Sequence, residues 1–406
     1  MLLLPLWIVL LVIKSVVIPG DKSISHRALL ISALRKGITK IHGFLESDDC
    51  IATARALRMM GVTIENKNDV WLVHGVGLHG LKAPKNSIDC GNSGTTMRLL
   101  AGILVAQSFD SVLIGDESLS KRPMMRIVEP LRKMGARIEA TDGHAPLNIT
   151  GGNVLHGISY TPPMASAQVK SCILLAGLYA KGKTEVVEPI KTRNHTELML
   201  EHKGNIQVPG DLSSAAFFIV FACIRQGEAI RLPAIGLNPT RTGVLDILRA
   251  MGAKIAIENQ RCFGSEPVGD MIIHASKLKA VDIDEAMLVR AIDEFPILMI
   301  AAACTDGVTC FRGIEELRHK ESDRVQAMQE GLTNLGIRGD VDVHEVRVRG
   351  GEFQSGVVDA RGDHRIAMAF YILEKLIASN IGVINGDMVK TSFPNFHEIT
   401  YHSSIF

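Results

Sequence analysis

Ile18-Pro19-Gly20-Asp21-Lys22-Ser23 decides how this chain is read, because Val208-Pro209-Gly210-Asp211-Leu212-Ser213-Ser214 repeats its plan far downstream. Pro-Gly breaks whatever element precedes it, and Asp or Ser just afterwards is suited to cap a helix. A stretch that reads as a buried helix follows each turn. Two matching Pro-Gly-Asp turns therefore read as two hinge strands that cross between domains, with Asp211 or Ser213 capping the second helix and Asp21 serving as a turn or cap residue.

Working outward, one unit recurs. Helix-like stretches close on glycine at Leu57-Arg58-Met59-Met60-Gly61, Leu131-Arg132-Lys133-Met134-Gly135, Leu248-Arg249-Ala250-Met251-Gly252 and Leu332-Thr333-Asn334-Leu335-Gly336. Glycine just past a helical run is a C-terminal cap signal. Short branched runs such as Val62-Thr63-Ile64 come next and read as strands. The units begin on similar turns, at Gly37, Gly182, Gly227 and Gly307. About six such units are visible, the last incomplete, and they imply an α/β repeat architecture. Ala215 to Cys223 and Ile297 to Cys304 are apolar nearly all round, the mark of a buried helix. One interval is short: between Glu201-His202-Lys203-Gly204 and Val208 there is almost no room for the strands that follow the other helices.

The 406 residues suffice for two or three domains with their own cores. Aromatic residues make up 5%, too few for a platform of stacked bases. Lys+Arg number 44 against 43 Asp+Glu, so no global basic field favours a long polyanion. Nucleic-acid partners are therefore not expected. The 7 cysteines are odd in number and lack close pairing, which suits free thiols in a reducing cytoplasm. Met1 to Ile13 is almost wholly apolar but shorter than a bilayer span, and it has no early positive charge or cleavage site. It reads as a buried strand, and no membrane partner is expected.

Charge is concentrated instead in six clusters: Gly20 to Arg27, Gly91 to Arg98, Ser120 to Pro123, Ser166 to Lys170, Lys320 to Arg324 and Asp363 to Arg365. All but the last mix Arg or Lys with hydroxyl, amide or glycine residues, the groups that grip phosphate and carboxylate oxygens. Taken singly, each has a plain structural explanation. Glu321 to Arg324 is equally an exposed helix start with an internal ion pair, Gly91 to Gly94 a turn, His364 a structural histidine, and Lys121 a solvated side chain.

Taken in order, the motifs GDKSISHR (20–27), GNSGTTMR (91–98), SLSKRP (118–123), SAQVK (166–170), RNHTE (193–197), KESDR (320–324), DHRIAM (363–368) and TSFP (391–394) closely resemble the 5-enolpyruvylshikimate-3-phosphate synthase family. Gly20-Asp21-Lys22, SAQVK, RNHTE and Asn238-Pro239-Thr240-Arg241 resemble its class II bacterial branch. The resemblance implies a two-domain α/β enolpyruvyl transferase fold. Each domain would hold three βαβαββ-like units around buried helices, joined by a two-strand hinge. Residues 20–208 would form one domain, and 1–19 plus 209–406 the other.

It also implies transfer of the enolpyruvyl group of phosphoenolpyruvate to the 5-hydroxyl of shikimate 3-phosphate, with release of phosphate. That reaction makes and breaks C–O bonds by addition and elimination. It calls for an acid and a base but no bridging metal and no cofactor. Carried over by motif, Lys22 touches both substrates. Ser23, Arg27, Ser166, Gln168, Thr192, Asp293 and Lys320 match the shikimate 3-phosphate site. Gly94, Arg122, Gln168, Arg324, Arg365 and Lys390 match the phosphoenolpyruvate site, Lys390 one residue out of register. Asp293 is expected to act as base, and Glu321 as proton donor with Lys22 assisting.

Gly94 is the plain glycine that in this family leaves room for the inhibitor glyphosate. The expected protein is a cytoplasmic monomer whose cationic loops repel until a dianionic substrate bridges them. Three alternatives stand beside this reading. An RNA 3′-phosphate cyclase, built from related units, would need a nucleotide site and a nucleophilic His late in the chain, and His364 sits in the wrong motif. UDP-N-acetylglucosamine enolpyruvyl transferase would carry Asn after the early Lys and a Cys before Arg-Pro; Ser23 and the cysteine-free 116–121 segment speak against it. A catalytically impaired, truncated homologue that only binds anions is motivated by the short third unit.

Overall fold

The two Pro-Gly-Asp turns lie side by side. In this computed structural model, which describes residues 13–402, Gly20 and Gly210 form an antiparallel bridge. Asp21 N donates to Pro209 O at 2.8 Å and Asp211 N to Pro19 O at 2.9 Å. A Cβ on Gly20 would lie 1.9 Å from Gly43 O, so only glycine lets this turn pass so close to the backbone at Gly43. The expected buried strand over Met1 to Ile13 falls outside the described residues except for Ile13. The first described strand, Lys14–Ser15, pairs in parallel with Ile230–Gly236.

The repeat is present as a repeated sheet. Ile88–Asp89, Ser111–Ile114, His144–Thr150 and Arg137–Thr141 lie in that order across one four-stranded sheet. The first pair is parallel because a helix, Gly94–Leu104, connects its strands; the last is an antiparallel hairpin. Two other four-stranded sheets share this order, and in the fourth the edge strand comes from later in the chain. The closing glycines Gly61, Gly135, Gly252 and Gly336 all adopt φ between +85° and +99°, the left-handed turn that ends each helix.

The short interval has a structural consequence. The third unit keeps only the pair Ser159–Tyr160 and Glu185–Val186. After its helix His195–Glu201, the chain forms the two-residue strand Ile206–Gln207, which joins the first unit's sheet beside Lys36–His42. Arg35 ties down the helix end by donating to Met199 O at 2.7 Å and to His202 O.

Two hydrophobic cores result. One draws on residues 24–208, the other on Val16, Ile18 and residues 212–396. In the second, Phe295–Ala303 is buried along its whole length, as is Leu212–Ile224 up to Cys223, as their sequences predict. Phe218 packs on Phe393 and Phe396; truncating such a side chain costs about 3–5 kcal/mol. All seven cysteines are free thiols, and burial pushes Cys50, Cys172, Cys223 and Cys304 up to about 12, so these stay unreactive. No helix among the described residues is long and apolar enough to cross a membrane.

Candidate active site

The crossover itself delivers the first site residue. Asp21 caps the helix Lys22–Ala33 by accepting from Ile24 N at 2.8 Å, so Lys22 opens that helix directly beside the hinge. Its ammonium pairs with Asp49. Ser23 Oγ accepts from Arg193 at 3.1 Å. One turn along, Arg27 donates to Ser23 O at 2.9 Å, to Ser171 Oγ at 2.7 Å and to Thr196 Oγ1 at 2.7 Å.

Helix starts carry the rest of this wall. Ser93 caps Gly94–Leu104, which leaves Gly94 against the guanidiniums of Arg98 and Arg122. Arg122 donates to Asn92 Oδ1 at 2.5 Å and Ser118 Oγ at 3.2 Å. Ser166 caps Ala167–Gly177, and Gln168 bridges Arg98 (2.5 Å) and Thr95 Oγ1 (3.0 Å). Thr192 is held by Glu188, which Lys170 secures at 2.7 Å.

The facing wall carries carboxylates among guanidiniums. Asp293 lies 2.5 Å from Arg193, 3.6 Å from Arg324 and 3.9 Å from Arg365. Burial pushes its carboxyl up, but Arg193, Arg365, Lys320 and Arg324 outweigh that and hold it well below the usual carboxylate range. Glu321 behaves alike: burial raises it, and Arg324, Arg122 and Lys22 hold it well down. Arg324 is 1% exposed and pairs with Glu321 at 2.6 Å and Asp363 at 2.8 Å. Burial works against its charge, and these carboxylates more than offset that. Its NH1, like Arg122 Nε, is buried without a hydrogen-bond partner among the described residues.

Between the walls lies a cavity of about 450 Å³. Lys22, Ser23, Gly94, Arg122, Ser166, Gln168, Thr192, Asp293, Lys320, Glu321 and Arg365 all line it. Arg27 and Arg324 stand behind the lining, Arg27 under Ser23 and Arg324 under Glu321 and Asp293. Lys390 sits in the short turn Asp387–Thr391, exposed and outside the lining. His364 is buried; burial first, then Lys22 and Arg365, pushes it well below its ordinary value, so it is neutral.

The expected repulsion between loops is not what the structure shows. Ion pairs among the described residues span the cleft, including Arg193–Asp293, Arg126–Glu316 at 2.8 Å and Arg122–Glu321 at 3.7 Å. The cations of one wall face carboxylates on the other, so the walls attract. Several cavity residues had no assigned role in the sequence reading: Asp49, Arg98, Arg126, Arg193, Arg241 and Glu316. Arg98, Arg193 and Arg241 end or open quoted motifs, which was their only signal. Asp49 reads as a helix-start acid, and Arg126 and Glu316 resemble ordinary surface charges.

The chain is similar to known proteins along nearly its whole length. The family model described as EPSP synthase (3-phosphoshikimate 1-carboxyvinyltransferase) matches residues 11–206 and 201–400. A 3-phosphoshikimate 1-carboxyvinyltransferase from Methylococcus capsulatus is 52% identical over 405 residues, covering 94% of this chain and 93% of its own. One from Legionella pneumophila is 50% identical over 404 residues, with coverage of 94% and 93%. The solved EPSP synthase from Acinetobacter baumannii superposes with a TM-score of 0.84 at 48% identity, covering 95% of this chain and 94% of that one. The enolpyruvyl transferase NikO from Streptomyces tendae, 16% identical with a TM-score of 0.74 and coverage of 95% and 93%, shares the fold.

Proposed function

This chain belongs to the EPSP synthase family, and from that premise we propose how its cavity works. The enzyme transfers the enolpyruvyl group of phosphoenolpyruvate to the 5-hydroxyl of shikimate 3-phosphate and releases phosphate. We assign Asp293 as the base. Held ionised by four cations, it is ready to take the hydroxyl proton as that oxygen attacks C2 of phosphoenolpyruvate. The methylene carbon gains a proton in the same addition. In the elimination that follows, the methyl carbon returns a proton, the C2–O bond to phosphate breaks, and the enol double bond re-forms.

Glu321 is the proton donor in this reading, with Lys22 assisting. Arg122, Arg324 and Lys22 depress its carboxyl, and the phosphate and carboxylate of phosphoenolpyruvate compete for those same cations. Substrate binding therefore raises the proton affinity of Glu321 at the point where it must hold a proton. Ser23, Arg27, Ser166, Gln168, Thr192, Asp293 and Lys320 serve shikimate 3-phosphate. Lys22, Gly94, Arg122, Gln168, Arg324 and Arg365 serve phosphoenolpyruvate, with Lys390 reaching that subsite only if its turn moves inward on closure.

The domains close as two bodies, 20–208 against 1–19 plus 209–406. Shikimate 3-phosphate binds first, and phosphoenolpyruvate or glyphosate follows. The protein works as a cytoplasmic monomer. The observation carrying this reading is the convergence of Lys22, Asp293 and Glu321 on one cavity lined also by the guanidiniums of Arg122 and Arg365. The test is phosphate release from purified protein given phosphoenolpyruvate with shikimate 3-phosphate or with UDP-N-acetylglucosamine. Release with the first acceptor alone is expected; no release with either, from folded protein, favours the impaired homologue.

A further inference from the structure

We propose that Arg241 is a positioning residue for the transfer. Its buried guanidinium ties the two chain crossings together and so sets Lys22 and Asp293, which reach the cavity from opposite walls, relative to each other. The inference rests on the reading of the cavity given above.

Arg241 is placed by its own turn. Asn238 Oδ1 accepts from Thr240 N at 3.0 Å and from Thr240 Oγ1 at 2.7 Å, which directs the next side chain inward. The side chain of Arg241 is 6% exposed. Its NH1 lies 3.5 Å from Asp21 Oδ2; its NH2 lies 3.5 Å from Asp211 Oδ1 and 3.6 Å from Glu294 Oε1. NH2 also donates to Ser213 Oγ, which in turn donates to Glu294.

These partners are adjacent to the reacting groups in the chain. Asp21 immediately precedes Lys22, and Glu294 immediately follows Asp293. Asp211 accepts from Lys22 N at 3.1 Å and caps its own helix through Ser213 N at 2.8 Å. One guanidinium thus holds the backbone on both sides of the cleft, although both its terminal nitrogens face protein carboxylates.

The charge balance is what makes this testable. Three carboxylates, Asp21, Asp211 and Glu294, surround one cation; Asp293 and the His195-paired Glu266 also face Arg241, and Arg365 faces Asp211 and Glu294. Burial pushes Asp211 and Glu294 above their ordinary values, with Asp21 adding to the first and Asp293 to the second. Without the guanidinium, the cluster holds together only while it keeps protons. Rising pH would strip them and drive the crossings apart.

Phosphate-release kinetics and thermal unfolding, from about pH 6 to about pH 9, should be compared for the parent, Arg241→Lys, Arg241→Met and Arg241→Met with Glu294→Gln. In Arg241→Met, kcat is expected to fall about 100-fold, while KM for either substrate moves less than about threefold. The loss should deepen as pH rises. Adding Glu294→Gln should restore kcat about tenfold at the alkaline end by removing one repelling charge. Arg241→Lys should lie between parent and Arg241→Met.

A parental kcat and pH profile in Arg241→Met overturns the inference. So does a loss that is equal at every pH and untouched by Glu294→Gln, which would mark a merely structural arginine. Should Arg241→Met fail to fold, Arg241→Lys carries the test, and an unchanged kcat and pH profile there overturns the inference. A parent that releases no phosphate overturns the functional reading beneath it, and the inference with it. An active parent with unaltered variants overturns the inference alone.

Discussion

The wall drawn from residues 22–193 and the wall drawn from residues 285–365 face one cavity with different chemistry. The first offers Lys22, Arg98, Arg122, Arg126 and Arg193 with hydroxyls and an amide, and its lining acid, Asp49, is taken up by Lys22. The second interleaves Asp293, Glu316 and Glu321 with Lys320 and Arg365, and Arg324 backs them from behind the lining. Gripping groups therefore sit on both sides, while the carboxylates able to exchange protons with substrate sit on one. A wall of cations alone can bind an anion. The carboxylates opposite turn that binding into a change of proton affinity, because every guanidinium drawn to substrate is withdrawn from Glu321 or Asp293.

The sharpest way to break the comparison is to neutralise the second wall. Asp293→Asn and Glu321→Gln should each keep binding of both substrates, measured by calorimetry, yet lose turnover by about 100- to 10,000-fold. Near-parental turnover in either variant removes that residue from its role. Asp293 also predicts an acid effect on stability. Its folded value lies below the unfolded one, so its stabilising contribution is complete above the ordinary carboxylate value near pH 4. The contribution is lost as pH falls from there through the folded value. Between about pH 5 and about pH 3, the unfolding temperature of Asp293→Asn should fall less than the parent's.

On the first wall, Gly94 defines how closely the cations approach. A Cβ there would lie 2.9 Å from Arg98 NH1 and 3.4 Å from Arg122 NH1. These are ends of flexible side chains, so Gly94→Ala should fold normally while displacing both guanidiniums into the subsite. We expect KM for phosphoenolpyruvate to rise about 10-fold and glyphosate inhibition to weaken, with KM for shikimate 3-phosphate little changed. Equal effects on both substrates would mean that Gly94 does not border one subsite selectively.

The sequence exposed what is local and repeated. The Pro-Gly-Asp turns, the closing glycines and the buried helices are each readable within a few residues, and each is present in the fold. Lys22, Gly94, Arg122 and Gln168 were legible because motifs in order carry them into one cavity. What stayed hidden is pairing over long separations. Arg126 and Glu316 are 190 residues apart, Arg193 and Asp293 are 100 apart, and Arg241 and Asp21 are 220 apart. No periodicity reaches that far. The expected repulsion between loops arose from the same limit: the cations stand together in motifs, whereas Asp293 and Glu316 stand outside them. The third unit is similar, since its repair by Arg35 comes from 164 and 167 residues away.

The Arg126–Glu316 pair sharpens the comparison without touching the proton transfers. Arg126 NH1 donates to both oxygens of Glu316, at 3.0 and 2.8 Å, and Lys320 approaches the same carboxylate at 3.3 Å. Burial raises Glu316, but Lys320 and Arg126 hold it below its ordinary value, so it is an ionised strap across the cleft. Glu316→Gln removes the strap and frees Lys320. Without substrate the variant should scatter with a larger radius of gyration than the parent, and shikimate 3-phosphate should bring both to the same radius. The expected change in KM is about fivefold, the equivalent of about 1 kcal/mol for a partly buried pair. Equal radii without substrate would show that the cleft stays closed by other means.

The smallest effect is expected beside the largest local charge. Lys121 and Arg122 are neighbours in the chain, yet Arg122 is 7% exposed between Asn92, Ser118 and Glu321, while Lys121 is 73% exposed and pairs with Glu117 at 2.6 Å. A solvated pair one helical turn apart contributes a few tenths of a kcal/mol and is screened by salt. Lys121→Ala should therefore leave kcat and both KM values within about twofold. If it instead raises KM for phosphoenolpyruvate severalfold, and does so only at low ionic strength, Lys121 steers the anion toward Arg122 from outside. The cationic wall would then extend beyond the cavity to its rim, and the division between a gripping wall and a proton-transferring wall would have to include the approach path as well as the site.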